Sequence, residues 1–343
     1  MRRRICFNDF AKTYGENHNF VKYYPAIIRL NKKGISLISV EKIYKGKIPK
    51  STLYFWYNQK RVPVQFTSFV KAKKSFSEKE IDKMGELIGS IMGDGGIISK
   101  GHVHYCNTEQ FLINRFKANM LELFPKETPC ESKDNNAMHL IYSPRIGRVL
   151  WCLFGRFSYG KDTKNITSQI NNQPLAWKIK AVQALYNDEG SVIMTKNNTK
   201  YISFKQKSTS VTDFVCSVLN ECGIRYIRGN DDGKWMVRIC GYENMLKFKE
   251  RIGFSDGYRK AEKLNRLLNS INHPHFITKQ KILEILKEGP KTYKDIAQSF
   301  ILNPRTVRGH LHGWTKGSIK ESLIKMGLVK AMKQGRKQVY SLA

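Results

Sequence analysis

Two stretches of the chain share one pattern of apolar and polar positions, a helix that ends in an acid followed by glycine. In the first, apolar residues recur at helical spacing beyond Asp82, a candidate N-cap, and glycines in Gly93-Asp94-Gly95-Gly96 let the backbone turn away. The second stretch reads VQALYNDEG over residues 182–190 and has Glu189 where the first has Asp94, 95 positions earlier. Because the C-terminal end of a helix is negative, an acid there is unfavourable unless a cation joins it. The two stretches indicate a duplicated unit.

The residues after each acid predict the same order of elements. In the first copy the pattern predicts a hairpin around Lys100-Gly101, a helix over 107–124, a strand over 137–142 and a helix over 144–154. In the second copy it predicts strands over 191–195 and 201–207, a helix over 212–222, strands over 224–228 and 234–240, and a helix over 243–252. The order helix-strand-strand-helix-strand-strand-helix favours an α+β fold.

A basic and aromatic segment, residues 1–75, precedes the duplicated region. Its pattern predicts a helix over 35–44, a turn at Gly46 and a second helix near Pro49 with Ser51 as N-cap, which is the outline of a helix-turn-helix. Its expected core residues are Leu53 and either Trp56 or Tyr57. The candidate DNA contacts are Lys50, Thr52, Asn58, Lys60 and Arg61. The alternative is a small helical cap with a basic, solvated face.

The C-terminal segment, residues 273–343, is typical of a winged helix. It has predicted helices over 277–287, 292–300, 304–314 and 318–326, followed by a hairpin over 328–342. The candidate DNA contacts on the predicted recognition helix are Arg305, Thr306, Arg308, His310 and His312, and those on the wing are Lys333, Arg336 and Lys337. A protein-binding winged helix is the alternative, although a basic wing favours DNA.

The charge balance narrows the class of partner. Lys and Arg number 60 against 28 Asp and Glu, which leaves a net charge of +32 on 343 residues. An excess of this size favours nucleic acid over a small acidic substrate, and no long apolar span favours a membrane. The N-terminus lacks the apolar run of a signal peptide, and the 7 cysteines include no CxxC pair. We therefore expect an intracellular protein, cytoplasmic or nucleoid-associated, without a disulfide framework or a zinc site.

The two motif stretches resemble the LAGLIDADG motif of homing endonucleases. The matching residues are Leu87, Gly89, Gly93, Asp94 and Gly95 in the first copy, and Leu185, Glu189 and Gly190 in the second. In the second copy, Ala184 replaces a helix-packing glycine and Asn187 replaces the first acid of the motif. The family's metal-binding acid precedes the final glycine, so the resemblance assigns metal binding to Asp94 and Glu189 only.

The stretch SFKQKS, residues 203–208, is similar to the end of the family's second strand. The resemblance implies that Gln206 and Lys207 lie near the scissile phosphate, where a lysine offsets transition-state charge. A phosphate contact outside the reaction is the alternative for Lys207, and Lys205 is a further candidate DNA contact. The first copy has Tyr105-Cys106-Asn107-Thr108 at this point, without a lysine, so one DNA strand is expected to be cut more slowly.

The resemblance also implies an architecture and a reaction. Two half-domains, residues 76–172 and 173–272, would be related by a pseudo-twofold axis, with a curved antiparallel sheet in each lying along the major groove of double-stranded DNA. A monomer would contain the whole site. Two or more Mg²⁺ ions, shared between the two acids and DNA phosphates, would support cleavage of both strands at a long recognition site. His102 and His104 alternate onto one face of a sheet and are interpreted as surface residues near DNA.

Other functions are compatible with the same features. Some bacterial transcription regulators carry a LAGLIDADG domain that has lost its acids. The retention of Asp94 and Glu189 argues against that class, whereas the two flanking units argue for it. Some relatives are RNA-binding maturases, and net charge does not distinguish RNA from DNA. An intein is not expected, because the chain lacks a nucleophilic Cys or Ser at its start and a His-Asn end.

Overall fold

The computed structural model of the chain describes residues 3–14, 21–98, 100–159, 164–195, 199–271, 275–300, 303–313, 321–335 and 337–343, without the side chains of 275–278 and 337. Buried apolar side chains form three clusters, which belong to a helical unit near the N-terminus, a central duplicated region and a C-terminal unit. In the described part of the chain, no helix combines the length and the apolar character needed to cross a membrane.

The N-terminal elements divide between two of these clusters. They are β1 (Arg3–Arg4), α1 (Phe7–Lys12), α2 (Tyr24–Lys32), α3 (Leu37–Ile43), α4 (Lys50–Tyr57), α5 (Val64–Lys71) and β2 (Ser75–Phe76). Helices α2, α3 and α4 surround Leu53 and Trp56, whereas β1 pairs with β2 and Phe10 of α1 joins the central core. The N-cap of α4 is Pro49, whose fixed φ suits the entry to a helix, so the prediction of Ser51 as N-cap was wrong.

The first half-domain follows directly. Its elements are α6 (Glu78–Met92), β3 (Gly95–Ile97), β4 (Val103–Asn107), α7 (Gln110–Leu123), β5 (Cys130–Asp134), β6 (Ala137–Ile141) and α8 (Pro144–Phe154). Helix α6 begins earlier than predicted because Ser77 and Glu80 form a capping box: the Glu80 N–H donates to Ser77 Oγ over 3.3 Å, and the Ser77 N–H to Glu80 Oε2 over 2.8 Å. Asp82 therefore lies inside the helix and is not its cap.

The second half-domain repeats this order and adds a helix. After the short connecting helix α9 (Ser168–Asn171) come α10 (Leu175–Glu189), β7 (Gly190–Met194), β8 (Lys200–Gln206), α11 (Thr209–Glu221), β9 (Ile227–Asp231), β10 (Lys234–Cys240), α12 (Tyr242–Arg251) and α13 (Arg259–Asn269). The sheets have matching strand orders, β3-β4-β6-β5 and β7-β8-β10-β9, and neighbouring strands are antiparallel. The predicted α+β fold with tandem half-domains is confirmed.

One face of each sheet packs into the central core, and the other faces outward. In the first sheet, Val103, Tyr105 and Leu140 point into the core, and in the second, Ile202 and Phe204 do so. Because side chains alternate across a strand, the residues between them lie on the opposite face. Each half-domain therefore presents one polar sheet face on the side away from its core helices.

The C-terminal unit has its own apolar cluster. It contains α14 (His275–Leu286), α15 (Tyr293–Ser299), α16 (Pro304–His312), β11 (Val329–Gln334) and β12 (Lys337–Leu342). β11 and β12 form the predicted hairpin. Of the helix predicted over 318–326, residues 318–320 lie outside the described residues, and 321–326 form turns closed by short-range bonds such as Met326 N–H to the Ser322 carbonyl.

Candidate active site

The motif helices α6 and α10 form the joint between the half-domains because their facing residues are small. A Cβ atom added to Gly89 would lie 2.8 Å from Ala184 Cβ, and one added to Gly93 would lie 2.8 Å from Asp188 Cβ. Gly85, one turn earlier, is equally confined, since an added Cβ would lie 2.6 Å from a backbone oxygen of α10. The helices therefore meet backbone against backbone, and their C-terminal ends emerge side by side.

Asp94 lies at the first of these helix ends, largely buried. Asn107, the last residue of β4, donates from Nδ2 to Asp94 Oδ2 over 2.8 Å. Burial raises the pKa of Asp94, and the nearby Lys164 and Lys260 ammonium groups act in the opposite direction. The carboxyl is thus desolvated, oriented by one amide and adjacent to two cations.

Glu189 occupies the equivalent place in the second half-domain. Gln206, the last residue of β8, donates from Nε2 to Glu189 Oε1 over 3.2 Å, and also approaches the Met92 carbonyl of α6 at 3.5 Å. Burial raises the pKa of Glu189, as does the charge of Asp94. Because Gln206 contacts both Glu189 and the end of α6, the structure brings the two predicted acids and Gln206 to the same joint. The side chain of Lys207 is exposed at the rim of this site.

Two lysines that the sequence analysis missed lie at the same joint. Lys164 donates to the Gly93 carbonyl of α6, and Lys260 donates to the Asn187 carbonyl of α10 over 2.5 Å. Lys260 also approaches the Asp188 carbonyl, the counterpart of Gly93, at 3.3 Å. Both lysines therefore bind carbonyls at the negative helix ends. The two lysines are 96 positions apart, and the two acids are 95 positions apart. This similar spacing was the signal available in the sequence.

Asp188 is a third acid at the joint, also missed. Tyr105 donates its hydroxyl to Asp188 Oδ1 over 3.0 Å, and the Asp94 N–H donates to Asp188 Oδ2 over 3.4 Å. Both contacts cross from one half-domain to the other. Burial raises the pKa of Asp188 well above its usual value, and the charge of Asp94 adds to the effect. The sequence signal was the alignment of Asp188 with Gly93 of the first motif copy. The Asp188 side chain fits between the two helices only because the facing residue, Gly93, has no side chain.

The donor set fits a divalent cation. Asp94 and Glu189 are both destabilised as anions by burial, and Asp94 further destabilises its neighbours by repulsion, so a cation between them would relieve both effects. Across the described residues, no group of three or more His, Cys, Asp or Glu side chains is arranged to hold a metal ion. A hard cation at this joint would therefore need further oxygen ligands, such as those of a phosphate group.

Comparison with known proteins places the second half-domain in a family. Residues 176–253 match the sequence family described as the LAGLIDADG-like domain. The second half-domain is a LAGLIDADG-like domain. No curated protein matches it in sequence. The matched segment runs from α10 to just beyond α12, and the first half-domain repeats its topology.

The chain is also similar to several solved structures. One is the homing endonuclease I-DmoI in complex with DNA and manganese, with 20% identity over 51% of this chain and 98% of that chain and a TM-score of 0.40. Another is a variant of I-DmoI with its target DNA and magnesium, with 19% identity over 52% of this chain and 99% of that chain and a TM-score of 0.41. Full-length DUF199/WhiA from Thermatoga maritima has 12% identity over 68% of this chain and 89% of that chain, with a TM-score of 0.40.

The outward sheet faces of the two half-domains carry several candidate contacts. On the second sheet, Lys205 is exposed and pairs with Asp231 at 2.6 Å, and Arg238 lies over the ring of Tyr201, 5.2 Å from its centroid. On the first sheet, His104 Nε2 lies 3.1 Å from His139 Nδ1. Cys106 Sγ lies 3.5 Å from His139 Nε2. His104 thus has partners from β6 that its sequence neighbourhood did not reveal.

The candidate contacts of the flanking units are placed unevenly. Lys50 is exposed and lies 3.4 Å from Glu41, and Thr52 is half-buried. Lys60 and Arg61 lie over the rings of Tyr54 and Phe55, at 5.3 and 4.9 Å from the centroids. On α16, Arg305 and Arg308 are exposed and Thr306 is half-buried, but His310 is buried, so its prediction as a DNA contact was wrong. Arg336 and the side chain of Lys337 lie outside the described residues.

Proposed function

We propose that this chain is a metal-dependent endonuclease that cuts both strands of a long, specific DNA site as a monomer. The observation that carries the proposal is the joint itself. Two acids from different half-domains lie at adjacent helix ends, each held by the amide that ends the second strand of its own sheet. A single chain thus contains both halves of a symmetrical cation site.

The residues of the joint have complementary roles in this proposal. Asp94 and Glu189 would hold Mg²⁺ together with phosphate oxygens of the scissile DNA, and the bound ions supply activation of water and stabilisation of the leaving oxygen. Asn107 and Gln206 orient the two carboxylates. Lys164 and Lys260 fix the helix ends and keep positive charge near the developing negative charge, which stabilises the transition state most in a desolvated site.

The remaining basic residues supply affinity and specificity. Lys205 and Arg238 are on the outward face of the second sheet, where side chains can contact base edges or phosphates. Lys207 at the rim is within the region that the scissile phosphate would occupy. Exposed cations of the flanking units, such as Lys60 and Arg305, would extend the phosphate contacts and make binding strongly dependent on salt.

A second candidate is a DNA-binding regulator that does not cleave. The observation in its favour is the presence of two flanking helical units, one on each side of the duplicated region. A regulator that does not cleave, however, has no use for two desolvated acids, Asp94 and Glu189, at the joint of the motif helices. RNA is the second candidate ligand, because charge alone does not select DNA.

The decisive experiment is to incubate the protein and Mg²⁺ with DNA that spans the uninterrupted insertion site of its own gene. We expect a double-strand break that Asp94→Asn and Glu189→Gln each abolish, with binding retained. Removing a cation-binding acid costs several kcal/mol of transition-state stabilisation, and about 1.4 kcal/mol is tenfold in rate. The matched control is Glu243→Gln, which replaces an exposed acid in the first turn of α12. Specific binding without cleavage in any divalent metal would instead identify a regulator, and two chains per site in sedimentation would contradict a monomer.

A further inference from the structure

The helix that follows the second half-domain has a basic side that the two motif copies do not explain. Helix α13 contains Arg259, Lys260, Lys263 and Arg266 against a single acid, Glu262. Its net charge is therefore +3 over 11 residues. The described chain between α8 and α10 contains only the four-residue α9, so the first half-domain has no counterpart of α13 there.

The charges of α13 are separated from its packing residues. Positions four and seven apart lie on one side of a helix, which places Arg259, Lys263 and Arg266 together. The buried residues of the helix are Leu264, Leu267 and Leu268. Because the leucines account for the packing of α13, its basic side is free to serve another purpose.

A cavity of about 420 Å³ lies between this basic side and strand β7. Its lining residues are Ser191, Val192, Ile193, Arg259, Lys260, Glu262, Lys263 and Arg266. Ser191 and Ile193 alternate with the core residue Val192 and are paired with Ser203 and Tyr201 of β8. The cavity therefore opens beside the outward face of the second sheet, the face that carries Lys205 and Arg238.

Both ends of α13 are anchored. At its start, Arg259 pairs with Glu109 of the first half-domain at 2.5 Å, and the ring of Tyr258 stacks on Phe111 at 5.2 Å between centroids. At its end, Lys200 of β8 donates to the Ser270 carbonyl over 2.9 Å. The basic side is thus held in a fixed position against the sheet, which reduces the entropy lost when a ligand binds.

Two of the four cations of this helix, Lys263 and Arg266, are exposed and available to a ligand. Arg259 is occupied by Glu109, and Lys260 by the helix end at the joint. Arg266 pairs with Glu262 at 3.2 Å, but both side chains are highly exposed, and such i,i+4 pairs contribute little. Within the described residues, Lys263 has no ion-pair partner. Two exposed cations one turn apart, beside a polar sheet face, suit successive phosphates of a nucleic-acid backbone.

The geometry points to α13 as a phosphate-binding surface on which Lys263 and Arg266 contact the DNA backbone beside the second sheet. This inference rests on the proposed function in one respect, that the protein binds duplex DNA. It adds a contact that only the second half-domain has. The two halves of the recognition site are consequently bound with unequal numbers of phosphate contacts. In footprinting, the DNA backbone beside the second sheet is protected more strongly.

The test is the salt dependence of duplex binding by the full chain without divalent metal. The probe is a DNA duplex long enough to cover both sheets and both flanking units. Replacing Lys263 and Arg266 together by Gln should lower the log–log salt slope by roughly 1.8, because each lost phosphate contact removes about 0.9. Glu262→Gln, which removes the acid that pairs with Arg266, should strengthen binding. The matched control is the pair Lys247→Gln and Lys249→Gln, which removes two exposed cations from α12 and none from the cavity lining.

The outcomes separate this inference from the proposed function. A reduced slope in the Lys263/Arg266 double variant, together with tighter binding by Glu262→Gln, supports the surface on α13. If the wild-type and control chains bind and the Lys263/Arg266 double variant has the same salt slope, the inference about α13 is overturned. The nuclease proposal is then unaffected. Failure of the wild-type chain to bind duplex DNA contradicts both. Backbone footprinting adds a positional readout, since protection should be lost on one side of the site only.

Discussion

The two half-domains have the same strand order but different outward faces. The outward residues of β4 and β6 include His104, Cys106 and His139, and neither strand contains a lysine or an arginine. Those of β8 and β10 include Lys205 and Arg238. Duplication preserved the backbone and the helix joint, whereas the surface chemistry diverged.

The difference indicates that the two sheet faces are suited to different parts of a nucleic acid. On the first sheet, His139 lies within hydrogen-bonding range of both His104 and Cys106, and these side chains offer donors and acceptors suited to base edges. On the second sheet, basic side chains suit phosphates. At the strand ends the contrast continues, since Gln206 is followed by Lys207 but Asn107 is followed by Thr108. In the proposed nuclease, the two DNA strands are therefore expected to contact different side chains and to be cut at different rates.

The largest expected effect concerns the joint that the halves share. Gly89→Val would push a branched side chain against Ala184, and the two helices would have to separate. We expect a loss of about 3 kcal/mol or more in the free energy of unfolding, since overpacking alone costs 1–3 kcal/mol, together with loss of cleavage. Urea unfolding measures the loss. Gly229→Ala is the control, because its nearest neighbour would be 3.7 Å from the added Cβ, and equal stability of the two variants would contradict close packing at the joint.

The next effect tests the unequal strand ends. Lys207→Met should slow cleavage of one DNA strand by about 10²-fold, because a lost charge-stabilising group has a cost of that order. A supercoiled plasmid carrying the site would then accumulate as a nicked circle. Thr108→Lys should raise the rate at the other strand. Equal slowing of both strands by Lys207→Met would show that this lysine contributes to binding and not to one reaction centre.

The sequence predicted best the elements whose signals are local. Helix α8 has its predicted bounds because Pro144 fits the first helical position and Gly155, at φ +71°, ends the helix. The acids and Gln206 were identified because the motif marks them. Strand β5 was not predicted because all five of its residues are exposed and show no apolar alternation. Helix α13 was missed because its few leucines lie among charges.

Side chains brought together by the joint could not be predicted in the same way. Asp188 acquires its contacts only when α6 and α10 pack, and the two lysines acquire theirs only when distant segments of their own half-domains meet. Asp188 contacts Tyr105 across 83 positions, and Lys164 contacts Gly93 across 71. A motif aligned within one copy has no information on contacts between copies.

A smaller effect tests the acid that makes the two helix ends unequal. Because burial and Asp94 raise the pKa of Asp188 in the folded chain, the folded state binds a proton more tightly than the unfolded state. The free energy of unfolding should therefore fall as pH rises from about 4 towards the raised pKa. Asp188→Asn should remove much of this fall, whereas Asp256→Asn should not. Urea unfolding at several pH values, without divalent metal, measures it, and an unchanged pH slope would contradict the buried charge.

The smallest effect compares the starts of the two motif helices. Helix α6 begins with the Ser77–Glu80 capping box, whereas α10 begins at Pro174 without a side-chain cap. Hydrogen bonds from Lys73 and from the Ser77 N–H lower the pKa of Glu80 to about 2. The stabilisation is therefore complete above about pH 4.5, the pKa of an ordinary glutamate, and is lost as pH falls towards 2.

Glu80→Gln should cost about 1 kcal/mol at neutral pH, less in acid, because a cap and a partly exposed ion pair are lost. Glu243→Gln, in the uncapped first turn of α12, should leave stability unchanged. If both variants had equal stability at neutral pH, Glu80 would not hold the start of the first motif helix.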